Sequence, residues 1–211
     1  LKLYGHREND LVRLPDPTRV LKYPHIAMTG PAQRGYVVTA SSEYLTDANN
    51  LRPGWAVYNN ITNSISGNNK YWMTTFNAFN TNGDPLNGVT FTDNTNTPHT
   101  GHYSQLELPH KLSVSHVNII TPNGTYRRAN NWLILGSITG TDGTWEVLHS
   151  DNTTIGNDIT VSLTGVYKFF VFLVKGIVAT TGETSLQINE IKYYGTGVDS
   201  IPIQIGGGNI D

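Results

Sequence analysis

Residues 127–145 read RRANNWLILGSITGTDGTW. The apolar run Trp132-Leu133-Ile134-Leu135 is too short for a helix, and Gly136-Ser137 ends it. Thr139-Gly140-Thr141-Asp142-Gly143 then supplies turn chemistry, after which Thr144-Trp145-Glu146-Val147-Leu148 resumes an extended pattern. The stretch predicts a strand, a turn and a second strand.

The same grammar recurs on both sides. Segments 35–41 (GYVVTAS), 103–108 (YSQLEL), 112–120 (LSVSHVNII), 159–163 (ITVSL), 167–174 (YKFFVFLV) and 185–194 (SLQINEIKYY) are rich in β-branched and aromatic residues. Pro122-Asn123-Gly124 and Thr180-Thr181-Gly182 mark further turns. Gly, Asn, Thr and Pro interrupt every window before apolar residues recur at helical spacing. About eight short strands with turn-rich connections predict an all-β antiparallel sandwich instead of βαβ units.

Composition narrows the partners. The 211 residues carry 14 Lys plus Arg against 16 Asp plus Glu, a formal net charge of −2. A binder of nucleic acid or anionic lipid shows a basic patch or stripe, and neither is expected here. Only 14% of residues are charged, against roughly a quarter in an average globular protein, so the surface is polar but weakly charged. With no cysteine, disulfide scaffolds, thiol catalysis and cysteine-ligated metals are excluded. The longest apolar run, Phe169 to Val174, is far short of the roughly 20 residues that span a bilayer as a helix.

Two regions, Asn60 to Asn69 and Thr81 to Gly101, are dominated by Asn, Thr, Gly and Ser and read as loops. Long loops in a compact domain are where a binding site is sought first. The charged, proline-containing stretch Arg7 to Lys22 reads as a linker. Leu1-Lys2-Leu3-Tyr4-Gly5 matches Ile191-Lys192-Tyr193-Tyr194-Gly195 in pattern, as if the chain began on the closing strand of a preceding copy. The expected organisation is therefore a linker over 1–22, a sandwich over 23–195 and a C-terminal linker over 196–211.

Several motifs carry a family resemblance. Arg127 to Ser137 followed by Asp142-Gly143-Thr144-Trp145 resembles "R-x-P-x-x-W-x-L-x-G-S-x-D-G-x-x-W" of the discoidin or coagulation factor type C family, whose members are galactose-binding-like β-sandwiches. Tyr103 to Pro109 resembles the "W-hydrophobic-x-hydrophobic-x-L-P" strand, and Ile188 to Gly195 resembles the closing "I-x-E-I-x-hydrophobic-x-G" strand. Trp55 to Asn60 and Tyr71-Trp72 resemble the early "A-F-D-G" strand end and the aromatic pair after it. The start of the chain also resembles the modular surface proteins of large algal DNA viruses and some phage fibres. The resemblance implies a jelly-roll, galactose-binding-domain-like fold and buried Trp132 and Trp145. Three departures stand out: Asn59 and Asn60 in place of Asp-Gly, Tyr103 in place of Trp, and no proline after the arginine.

Signatures of catalysis are missing: no G-x-S-x-G, H-E-x-x-H, Walker loop or G-x-G-x-x-G occurs. Glu107 and Glu190 are the acids worth weighing as a glycosidase pair. Glu107 alternates with Leu106 and Leu108 away from the core, and Glu190 matches a structural position of the family, so a non-enzyme is expected. His99 and His102 flank Thr100-Gly101, too few ligands for zinc but suited to sugar hydroxyls. His25, His110 and His116 stand alone and read as structural. Calcium needs six to eight oxygens. The resemblance points to Asn59, Asn60 and Thr62 for a structural calcium ion, and a plain hydrogen-bonded turn is the equal alternative.

A sugar site combines a flat ring with short polar or guanidinium groups. Trp55, Tyr58, Tyr71, Trp72, Tyr103 and Tyr126 neighbour the polar loops, with Arg34, Arg52, Asn68, His99, His102 and Arg127 in reach along the sequence. The candidate ligand-binding set is Trp55, Tyr71, Trp72, His99, His102, Tyr103 and Arg127. The triplets Asn60-Ile61-Thr62, Asn123-Gly124-Thr125 and Asn152-Thr153-Thr154 fit the glycosylation pattern but are expected by chance in such a chain.

The resemblance implies a non-catalytic carbohydrate-binding or attachment module of a larger viral or cell-surface fibre protein. Its expected partners are a glycan or cell-wall polysaccharide and neighbouring modules of the same chain, outside the cell or on a virion surface. The alternatives are a structural module that assembles into homo-oligomers without binding sugar and, less favoured, a glycan depolymerase.

Overall fold

The computed structural model describes residues 19–45, 51–62, 69–123, 127–178 and 183–198. The LKLYG segment at 1–5, most of the expected linkers, Asn68 and Tyr126 lie outside the described residues. Twelve strands are found among the described residues. They are β1 Leu21–Tyr23, β2 Ala32–Gln33, β3 Tyr36–Ala40, β4 Trp72–Met73, β5 Val89–Thr92, β6 Pro98–Ile120, β7 Ala129–Ser137, β8 Glu146–Asp151, β9 Asp158–Ser162, β10 Val166–Ile177, β11 Gln187–Ile188 and β12 Glu190–Val198. One 3-10 turn, Gly54–Tyr58, precedes β4. No described helix is long and apolar enough to cross a membrane.

β6 organises the sheet. The strand order is β1-β12-β6-β10-β7-β8, with β3, β5 and β9 also pairing with β6 and β2 with β3. Its first half lies between β3 and β10, and its second half between β12 and β9. Between the halves the β10 register skips from Tyr167 to Phe169, opposite the stretch that contains Pro109. A proline has no N–H for a ladder and sits comfortably at such an irregularity. The inner faces of both halves share one core. Leu106 and Leu108 from the first half and Leu112, Val114, Val117 and Ile119 from the second join Trp132, Ile134, Phe170, Phe172 and Tyr193.

β7 and β10 are buried on both faces. Trp132, Ile134, Phe170 and Phe172 enter the main core, while Leu133, Leu135, Val171 and Leu173 form a second cluster with Phe91 and Trp145 on the other side. That outer face is covered by the β5–β6 hairpin, whose Phe91 ring stands edge-on to Trp145 and Tyr103, centroids 5.3 and 4.9 Å away. Both Trp132 and Trp145 are buried, as the resemblance implies.

Two expectations change. The segments 103–108 and 112–120 are one strand bent near Pro109, not two. The region Thr81 to Gly101 is not all loop, because Val89-Thr90-Phe91-Thr92 pairs with Pro98–Gly101 as a hairpin. A single Phe among threonines is enough when it covers an apolar sheet face. Leu21 and Lys22 also pair with Gly195 and Tyr194, and β12 continues to Val198.

Candidate functional site

Four connections converge around β4 and β11, which pair Met73 with Gln187 and Trp72 with Ile188. Backbone bonds tie them together: Tyr44 N–H to Met73 O at 2.9 Å, Thr74 N–H to Leu186 O at 3.2 Å, Phe79 N–H to Thr184 O at 3.0 Å and Gln187 N–H to Arg127 O at 2.9 Å. The buried ends of these loops are held by polar side chains. His102, 3% exposed, turns Nε2 to the carbonyls of Ala78 and Leu86 at 2.8 and 3.0 Å. The ring therefore carries its proton on Nε2 and accepts the Ser41 hydroxyl on Nδ1 at 3.1 Å.

The outer rim of the cluster presents a ring. Phe76 is 51% exposed, and Tyr44 meets it edge-on with centroids 5.2 Å apart. The Arg127 guanidinium carbon lies 6.0 Å from the Phe76 centroid, while Nε donates to Glu183 Oε2 at 2.6 Å. Arg127 also sits at a φ of 59°, a backbone state uncommon for a residue with a side chain. Short polar groups line the same rim. Asn77 N–H donates to Thr184 Oγ1 at 2.9 Å, and Ser42 Oγ meets Thr75 Oγ1 at 3.0 Å. Exposed Leu45 follows Tyr44 in the chain.

Of the seven ligand candidates read from the sequence, only Arg127 belongs to this exposed rim. Trp72 is fully buried and donates its indole N–H to Ser42 O at 2.8 Å, so it is a prop and not a platform. His102 is likewise inside, bonded as above. Tyr71 is buried, with the Arg52 guanidinium 4.4 Å over its ring. Trp55 is half-buried against the core, and Tyr103 packs on Phe91. His99 sits on the β5–β6 hairpin, Nε2 2.9 Å from Asp93 Oδ2.

Sequence reasoning missed Tyr44, Phe76, Asn77, Glu183 and Thr184. The available signal was Phe76 itself, a lone ring in Met73-Thr74-Thr75-Phe76-Asn77 after the buried aromatic pair Tyr71-Trp72.

Glu107 and Glu190 serve separate partners. Glu107 pairs with Lys168 Nζ at 2.6 Å, and Glu190 Oε1 accepts the Asn60 N–H at 3.1 Å. Burial pushes the Glu190 carboxyl up to about 8, with the ammonium groups of Lys192 and Lys22 pulling the other way.

The expected calcium ligands lie on a turn that meets Glu190 through Asn60, but they do not fit that ion. Asn59 Oδ1 already accepts the Ile61 N–H at 2.8 Å, and its amide donates to Asn69 O. Asn60 Oδ1 accepts from the Lys22 ammonium, and Thr62 O takes the Asn189 amide at 3.4 Å. Among the described residues no three His, Cys, Asp or Glu side chains gather around a common point. One carboxylate and an adjacent ammonium are a poor match for a cation that takes six to eight oxygens.

No protein-family model and no curated protein sequence matches the chain. Solved structures do share its fold. A family 32 carbohydrate-binding module from Clostridium perfringens, solved with GalNAc-β-1,3-galactose, matches with a TM-score of 0.52 at 13% identity, over 75% of this chain and 94% of that one. The C-terminal domain of a chitobiase from Bacteroides fragilis matches with a TM-score of 0.53 at 10% identity, over 78% and 96%. Chitosan-binding module 1 of a chitosanase/glucanase from Paenibacillus sp. IK-5 gives 0.51 at 16% identity, over 76% and 96%. The chain thus has the galactose-binding-like β-sandwich fold of these modules.

Proposed function

We propose that the chain is a non-catalytic carbohydrate-binding module whose sugar rests on the Phe76 ring. The observation that carries this reading is a half-exposed aromatic ring, edged by Tyr44 and Arg127, at the tip of a loop cluster whose base is pinned by buried polar bonds. A sugar offers a C–H face to such a ring and hydroxyls to its rim. Asn77, Thr184, Glu183 and Arg127 supply donors and acceptors for them. Because the Arg127 charge is matched by Glu183, the rim favours neutral, hydroxyl-rich ligands. The fold adds support, since proteins that share it were solved with GalNAc-β-1,3-galactose or named for chitosan binding.

In this reading the module serves attachment within a larger surface or fibre protein, outside the cell or on a virion, next to other modules. A second reading, self-assembly without sugar, draws on the exposed Leu45 and Phe76, which also suit contact with another copy. Glycan-array binding of wild type, Phe76→Ala and Tyr44→Ala, alongside light scattering, separates the two. Sugar binding that vanishes in Phe76→Ala at unchanged melting temperature supports the first reading. Binding that survives both substitutions removes this site, and an oligomer that Phe76→Ala dissolves supports the second.

A further inference from the structure

The first and last strands meet beside Glu190. β1 pairs with β12 so that Lys22 lies opposite Tyr194 and Tyr23 opposite Tyr193. Residues opposite one another share a face, and side chains alternate along a strand. Tyr23, Tyr193 and Ile191 belong to the core, so Lys22, Tyr194, Lys192 and Glu190 stand on the other face. There Lys22 Nζ donates to Asn60 Oδ1, and Asn60 N–H donates to Glu190 Oε1 at 3.1 Å. Glu190 is 1% exposed, and its Oε2 has no hydrogen-bond partner among the described residues.

A divalent cation binds through carboxylate and carbonyl oxygens, and the buried Glu190 Oε2 has no hydrogen-bond partner among the described residues. Lys22 works against that ion in two ways. Its ammonium takes the Asn60 oxygen and places a positive charge beside the carboxyl, while asparagine at 59 and 60 brings no negative charge to offset it. We infer that Lys22 excludes divalent cations from the Glu190 pocket, tying β1 to the 59–62 turn as a covalently built-in cation, so that the fold is calcium-independent. This inference is independent of where a sugar binds.

The test uses Lys22→Met, which keeps the apolar stem and removes the charge. Wild type and variant are stripped with EDTA, melted with and without millimolar calcium, and titrated with terbium read by tyrosine-sensitised emission. Removing a unit charge from several ångströms beside a divalent ion favours binding by about tenfold even at the dielectric of water. Expected are a wild-type melting temperature that calcium leaves unchanged and a variant that melts lower, regains several degrees in calcium and binds terbium about tenfold more tightly. Adding Glu190→Gln to the variant is expected to abolish the calcium response. A wild-type melting temperature that rises with calcium, or equal terbium midpoints for the two proteins, overturns the inference. The wild-type melt decides by itself if Lys22→Met fails to fold.

Discussion

Trp72 donates its indole N–H to the Ser42 carbonyl at 2.8 Å, and Ser42 Oγ in turn accepts the Thr75 N–H at 3.1 Å. A fully buried side chain thus holds together the two loops that present Tyr44 and Phe76. Trp72→Phe leaves the Ser42 carbonyl without its donor and removes part of the indole volume, so we expect a loss of about 2–3 kcal/mol in urea unfolding. Phe76→Ala is the opposite case, with stability within about 0.5 kcal/mol of wild type because the ring is half in water. A large stability loss for Phe76→Ala would make the ring a structural element.

His102 joins two loops, the β3–β4 and β4–β5 connections, through one ring. His102→Ala takes the donor from the Leu86 carbonyl and the acceptor from the Ser41 hydroxyl in a nearly dry site, while the Ala78 carbonyl keeps the Leu86 N–H at 2.7 Å and Ser41 Oγ keeps the Tyr103 N–H at 2.9 Å. The expected cost is about 3 kcal/mol, read as a lower urea midpoint, because a buried acceptor that loses its donor carries its whole desolvation penalty. Sugar binding should weaken with it through loop disorder, and a glutamine at 102 should recover part of both. A His102→Ala protein with wild-type stability would contradict this assignment.

The β5–β6 hairpin is a lid on the second apolar cluster. A Cβ at Gly101 would lie 2.3 Å from the Val174 carbonyl oxygen, a backbone atom that cannot step aside. Gly101→Ala should therefore lift the hairpin from β10, and Phe91→Ala should cost about 3 kcal/mol by emptying the contact with Trp145. Both variants are expected to red-shift tryptophan emission before global unfolding. An unchanged spectrum for Gly101→Ala would mean that the hairpin has room to spare.

What was legible in the sequence follows from what each signal measures. Runs such as WLILG and YKFFVFLV announce strands because their residues are buried on both faces, and the turns between them carry glycine. β5 escaped because Val89-Thr90-Phe91-Thr92 has only one buried ring, and its burial depends on a sheet face made elsewhere in the chain. The ligand candidates rest on a weaker signal. Trp72, Tyr71 and His102 were chosen by chemical type and nearness to polar loops, yet proximity in sequence does not say which side of a loop a ring faces. Trp72 and His102 are inside, each with a backbone partner there, whereas Phe76 stands half in water at the rim against Tyr44 and Arg127, an exposure that its residue type does not announce. Charge was equally opaque: the pairing of Lys22 with Asn60 joins residues far apart in sequence through β1, which composition marked as linker.

Two carboxyls set opposite slopes of stability with pH. The Asp93 carboxyl is held well below the usual range by the Thr95 hydroxyl, then by His99 and the Thr97 N–H. A depressed folded-state value contributes stability that is present above the unfolded value of about 3.9 and is lost as pH falls below it. Asp151, lowered by the Thr153 hydroxyl, acts in the same direction. Glu190 is the reverse. Raised to about 8 by burial, its neutral form favours the fold below the unfolded value, and that contribution is lost as pH climbs toward 8. Melting temperatures measured from pH 3 to pH 9 should therefore fall at both ends. Asp93→Asn should flatten the acid limb only in part, because Asp151 still titrates, and Glu190→Gln should flatten the alkaline limb alone. An alkaline limb that survives Glu190→Gln would place its origin in another group and return the Glu190 carboxyl to the ordinary range.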